Sequence, residues 1–151
     1  MAIAPNTTFV SGAVLTAAQQ NAFGFSTCQY NSKTTSDATI TTIVTTITLA
    51  SFTAIANRNY KLTYFEPVIF CTSGVGELTM TLKNGATTIA TTIAPVSTSV
   101  SGQGILQFVT TLAAGATVIT SHLTYSGVGS ATASRTATRT AFVLVEDIGP
   151  A

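Results

Sequence analysis

Charge is scarce in this chain. Lys and Arg number six and Asp and Glu five, so 7% of the 151 residues are charged and the formal net charge is +1. A typical soluble domain carries about 25% charged residues. Without clustered cations there is no stripe to meet nucleic-acid phosphates. Low net charge with 46% hydrophobic residues also excludes charge-driven disorder. Trp is absent and His122 is the single histidine, so a zinc set of the usual pairs has no second imidazole and no CxxC to draw on. The two cysteines, Cys28 and Cys71, permit one disulfide at most and read as two buried free thiols of a chain made in a reducing cytoplasm. Apolar runs are short, as in Ala141 to Val145, far below the roughly 20 residues that span a bilayer. Met1 to Phe9 lacks the basic start and apolar stretch of a signal peptide, so no membrane role is expected and Asn6-Thr7-Thr8 reads as a chance sequon.

What the chain has in abundance is Thr, with 31 copies, followed by 21 Ala and 13 Ser. Thr is β-branched and favours strands, and its hydroxyl tolerates water. Sheet surfaces built this way carry little charge to keep molecules apart, and near-zero net charge promotes association. Much of the surface is therefore expected to be covered in an assembly. The length fits one domain with a short appendage.

Residues 1–36 differ from the rest and read as an N-terminal arm. Thr16-Ala17-Ala18-Gln19 is a capping-box pattern and Gly24 a stop, predicting a short helix from about Ala17 to Phe23. Such a helix is too short to stand alone, and Val14, Leu15, Ala18, Phe23 and Phe25 are its natural contacts. Residues 31–38 read as a polar linker. From there to 151 the period is two. Thr39 to Leu49 reads as one strand with Ile43, Ile47 and Leu49 on a face. Tyr60, Leu62 and Tyr64 point inward, and Pro67 makes their strand an edge, bulged or split. Leu78, Met80 and Leu82 lead into the hairpin signal Asn84-Gly85, whose return strand carries Ile89, Thr91 and Ile93 on one face. Leu106, Phe108 and Leu112 share a face of the next strand, and Ile119, Leu123 and Tyr125 a face of the one after. Thr132 to Val145 reads as a long final strand before a tail. The predicted class is all-β: an antiparallel β-sandwich of jelly-roll type with a short N-terminal arm and helix. An immunoglobulin-like sandwich is the runner-up, without the buried Trp of that fold.

On the final strand Arg135, Ala137 and Arg139 fall on one side. Small residues there allow close approach, and the two arginines suit carboxylates of a neighbouring subunit, so these three form the candidate subunit interface. Catalytic chemistry has little to draw on. His122 alternates with threonines, and no spacing ties it to Cys28, Cys71, Glu66, Glu77, Glu146 or Asp147. Glu146 and Asp147 are adjacent and so take opposite strand faces. Gly74-Val75-Gly76 and Gly127-Val128-Gly129 lead into no helix and read as turns rather than phosphate cradles. The expectation is a non-enzymatic protein with no cofactor and no metal.

Three segments carry a family resemblance. Phe9-Val10-Ser11-Gly12-Ala13-Val14-Leu15-Thr16-Ala17-Ala18-Gln19-Gln20-Asn21 resembles the opening of tailed-bacteriophage structural proteins. Val143 to Pro150 resembles the closing strand and tail of small virion proteins, notably of actinobacteriophages. Phe52 to Tyr60 is similar to a strand entry in the same group, with Asn57 where Gly is more usual; Asn also tolerates a left-handed turn. The resemblance implies a virion component, trimeric, with a jelly-roll-like domain and no enzymatic activity. A capsid decoration (cement) protein is the expected role. It would bind the major capsid protein through Ile3, Phe9, Val14, Leu15, Phe23 and Phe25 of the arm. The alternative is a minor tail or fibre protein, with host-surface glycan binding as its function.

Overall fold

The computed structural model describes residues 26–151. Twelve strands follow one another: β1 (Ser26–Lys33), β2 (Asp37–Ile40), β3 (Val44–Thr48), β4 (Phe52–Ala54), β5 (Arg58–Cys71), β6 (Val75–Asn84), β7 (Thr87–Ser97), β8 (Gly102–Thr111), β9 (Gly115–Thr117), β10 (Ile119–Gly127), β11 (Ala131–Ala133) and β12 (Ala141–Pro150). The described chain is all-β. The larger sheet runs β1-β12-β5-β11-β2 with β8 on the free side of β5; the smaller runs β3-β10-β6-β7, and β4 pairs β9 in a short ribbon. Every pairing is antiparallel.

Alternation builds the core, since successive side chains leave a strand on opposite faces. Tyr60, Leu62, Tyr64, Val143 and Val145 of the larger sheet meet Leu78, Met80, Leu82, Ile119 and Leu123 of the smaller one in a single buried cluster. Gly104 of β8 belongs to this contact: a Cβ there would overlap the Met80 sulfur, so the missing side chain is what lets Met80 cross between the sheets. Asn57 holds φ +59 ahead of β5, the left-handed step anticipated for it. Pro67 causes a bulge. It falls where β5 changes partner from β12, paired up to Phe65, to β11, paired from Ile69, and the β8 register shifts over the same gap. Its missing N–H therefore breaks no ladder.

Several expectations need correction. The sheet domain begins no later than Ser26, since β1 pairs along β12; residues 31–33, assigned to a linker, lie in β1, and 37–38 in β2. Residues 39–49 are not one strand. β2 joins the larger sheet and β3 the smaller, after a left-handed step at Thr39 (φ +60), and Ile43 is exposed in the crossing. On β7 a bulge opposite Leu82 and Lys83 changes the phase, so Ala94 and Val96 face inward and Ile93 faces solvent. Leu106 and Leu112 are buried as expected, but Phe108 is 43% exposed. The tail is strand as far as Pro150, where it pairs Arg58. The predicted helix lies outside the described residues.

The long final strand is broken as well. Between β11 and β12 the chain makes a tight turn closed by Thr136 N–H to Arg139 C=O (3.0 Å) and the reverse bond (3.2 Å). Just ahead of this turn lies Arg135. Its guanidinium turns into the protein and grips Glu66 with two bonds, Nε to Oε2 (2.8 Å) and Nη2 to Oε1 (2.7 Å). Nη1 donates to Asp37 Oδ2 (2.8 Å) and to the Thr35 carbonyl (2.9 Å). The Tyr64 hydroxyl donates to Glu66 Oε1 (2.5 Å), and Lys33 pairs with Asp37 at 2.6 Å. Burial works against the Arg135 charge, but Glu66 and Asp37 outweigh it and hold the group above its ordinary pKa.

Removing one partner of a buried pair leaves a charge uncompensated, whereas replacing both by apolar groups is often neutral. Glu66→Ala is therefore expected to lower unfolding stability by about 3–5 kcal/mol in urea denaturation, and Glu66→Leu with Arg135→Met to recover most of the loss. Burial and the neighbouring Glu66 also push the Tyr64 hydroxyl well above its ordinary 10.0. The folded chain keeps this proton where the unfolded one loses it, so the stabilisation is complete below pH 10 and declines as pH rises beyond it. The urea midpoint should fall above pH 10, and fall less in Tyr64→Phe, which cannot ionise.

Candidate functional site

The two outer sheet faces differ in chemistry. On the smaller sheet, His122 sits opposite Thr45 and Thr81, with Thr79, Thr91 and Thr124 around it. Its ring is held by the Thr120 hydroxyl at Nε2 (2.9 Å) and the Thr45 hydroxyl at Nδ1 (3.2 Å). Burial, and then Lys83, lower its pKa. The centre of this face is a layer of hydroxyls, with Ile93 of β7 exposed beside it.

The outer face of the larger sheet is apolar and aromatic. Inward residues of β5 before Pro67 are even-numbered and those of β12 odd-numbered, so Phe65 and Phe142 point outward and stand opposite each other in register. Their rings lie 5.5 Å apart, and Tyr30 of β1 adds a third ring 6.0 Å from Phe142. Ile105 of β8 is opposite Phe65 and extends the row to the sheet edge. Leu144 flanks the row on β12, and Val109 lies two outward-facing positions further along β8. Tyr30 is 54% exposed, Ile105 58% and Val109 50%. Lys61 and Glu146 provide one ion pair on this face, at 3.4 Å. Apolar groups gathered on one exposed face mark an interaction surface, whereas scattered ones need no explanation.

Asp147 behaves differently from its neighbour. The strand turns it inward, where Arg58 Nε donates to Oδ2 (2.5 Å) and the Gly149 N–H to Oδ1 (3.1 Å). The adjacent carboxylates thus serve opposite faces, as alternation demands. Among the described residues no three His, Cys, Asp or Glu side chains gather closely enough to hold a metal. Cys28 and Cys71 are both free, the first half-buried and the second buried. Burial, and then the nearby Asp147 carboxylate, push the Cys28 thiol up, which lowers its thiolate population.

The sequence-predicted site residues fare unevenly. Ile3, Phe9, Val14, Leu15, Phe23 and Phe25 lie outside the described residues. Arg135 is corrected: its carboxylate partners are Glu66 and Asp37 of its own chain, and its side chain is fully buried, so it is not free to pair with a neighbouring subunit. Ala137 and Arg139 are exposed on the turn after it. Tyr30, Phe65, Phe142, Ile105 and Val109 were missed. The available signal was Ala141-Phe-Val-Leu-Val145, a strand apolar on both faces, of which one face fills the core and the other needs cover.

No protein-family model matches the chain, and no curated protein matches it. Among solved structures it is similar to the CBM22-1 xylan-binding domain from Paenibacillus barcinonensis Xyn10C, at 8% identity over 81% of this chain and 87% of that one, with a TM-score of 0.36.

Tyr30 is half-exposed and edges the aromatic row, so Tyr30→Ala should cost only about 0.5–1.5 kcal/mol in urea denaturation. A thiol reagent should label Cys28 slowly and Cys71 more slowly in the native chain, and both quickly after unfolding. Rapid native labelling of Cys71 would contradict its burial.

Proposed function

We propose that this chain is a non-enzymatic structural protein of a bacteriophage particle, a decoration protein seated on the outer capsid shell, and that its two antiparallel sheets form a sandwich of jelly-roll type. The observation that carries the reading is the aromatic outer face of the larger sheet on a chain of near-zero net charge. A neutral apolar face gains little from remaining in water and stabilises the complex in which it is covered, at roughly 25 cal/mol per Å² of apolar area removed. The three segments that resemble virion proteins support the particle as the place where this happens. Attachment would be mechanical. Ile3, Phe9, Val14, Leu15, Phe23 and Phe25 would supply apolar contacts to the major capsid protein, and association of several copies, a trimer in the resembling family, would raise the effective affinity of each.

Quantitative mass spectrometry of purified particles, with antibody labelling under the electron microscope, tests the proposal. Copies comparable in number to the major capsid protein, with label over the head, are expected. A copy number far below that of the capsid protein, or label confined to the tail, would overturn the decoration role; tail label would point to the minor tail reading.

A further inference from the structure

We infer that β8 is a self-association edge: a second copy of this chain lays its own β8 antiparallel against this one, about a two-fold axis at Gln107. β8 pairs β5 on one side, and among the described residues no strand pairs the other. A free edge presents a row of backbone donors and acceptors, and folded proteins blunt such edges with charge, proline, bulges or shortness. The other edges are blunted. β1 carries Lys33 and a bulge between Thr27 and Gln29; β7 carries Pro95 and a bulge; β3 has five residues and β2 four. β8 has ten residues, no charge and no proline, and is regular from Gly104 to Thr111.

Its side chains are complementary to themselves. With Gln107 on the axis, Ile105 stands opposite Val109 of the second copy and Val109 opposite its Ile105, both on the outer face. Cross-strand pairs of this kind stabilise a sheet. Gln107, which reaches the Thr63 hydroxyl at 3.5 Å, would meet its own amide, a group that both donates and accepts. On the inner side Phe108, 43% exposed, would lie opposite Leu106 of the second copy and gain cover. Since β8 is uncharged, pairing with itself opposes no like charges. The apolar row of Phe142, Phe65 and Ile105 would then run on into Val109 of the partner, so one isologous contact would cover the edge and join the two outer faces into one surface. The pairing requires no phage particle, and it has a different symmetry from a three-fold contact.

Sedimentation across a dilution series tests this on the full chain. The wild type is expected as a dimer, or as a larger species of even copy number. Ile105→Lys with Val109→Lys places like charges opposite each other and should halve the mass. Ile105→Glu with Val109→Lys places opposite charges there and should restore it. Both positions are exposed in the single chain, and circular dichroism checks that strand content is kept; if the double lysine variant loses it, the Glu/Lys variant still decides. A wild type that sediments as a monomer or trimer overturns the inference. So does a folded double lysine variant of unchanged mass, or a Glu/Lys variant of halved mass.

Discussion

The grip of Arg135 on Glu66 is the constraint from which much of the architecture follows. Two charges with no exposed surface face a desolvation cost that only full pairing offsets. Glu66 sits at the point where β5 bulges over Pro67, Asp37 opens β2, and Arg135 follows β11. Satisfying one guanidinium therefore fixes three separate parts of the chain relative to one another. β11 ends just before Arg135, and the turn at Thr136–Arg139 carries the chain on to β12. Such a pair contributes little net stability compared with an apolar replacement. Its effect here is to specify where each segment lies. Arg58 and Asp147 play the corresponding part at the other end of β5 and β12.

With the core closed in this way, the outer faces are free to differ. The smaller sheet gives the centre of its outer face to threonines, which remain solvated without charge, with Ile93 exposed beside them. The larger sheet places Phe65, Phe142 and Tyr30 there. The same low charge that makes a threonine face inert makes an aromatic face association-prone, because no ring of like charges keeps other molecules away. The virion reading and the β8 pairing both draw on this asymmetry. One concerns what the assembled protein attaches to, the other how two copies meet.

Most of the strand pattern was legible in the sequence, because one buried face imposes a strict alternation. Tyr60, Leu62 and Tyr64, and likewise Leu78, Met80 and Leu82, lie where period two puts them. Legibility failed where a break carried no local mark. Thr39 takes a left-handed step without being Gly, Asn or Asp, and the bulge on β7 inverts the faces of an unbroken Thr/Ile run. The candidate site was less visible still. Phe65 and Phe142 are far apart in sequence and become neighbours only through β-ladder register. From the sequence Arg135 reads as a subunit-interface arginine, because its true partners, Glu66 and Asp37, are 69 and 98 residues away.

The sequence by itself determined the class of structure and the character of the surface: short strands of period two, scarce charge and abundant threonine permit an all-β chain whose outside is neutral. Those properties are local or compositional, so they need no knowledge of what packs on what. Only the tertiary structure decided which face would be aromatic, which edge would be left open and which charges would be buried. Each of these depends on register between distant strands, and register is settled by the collective packing of both sheets.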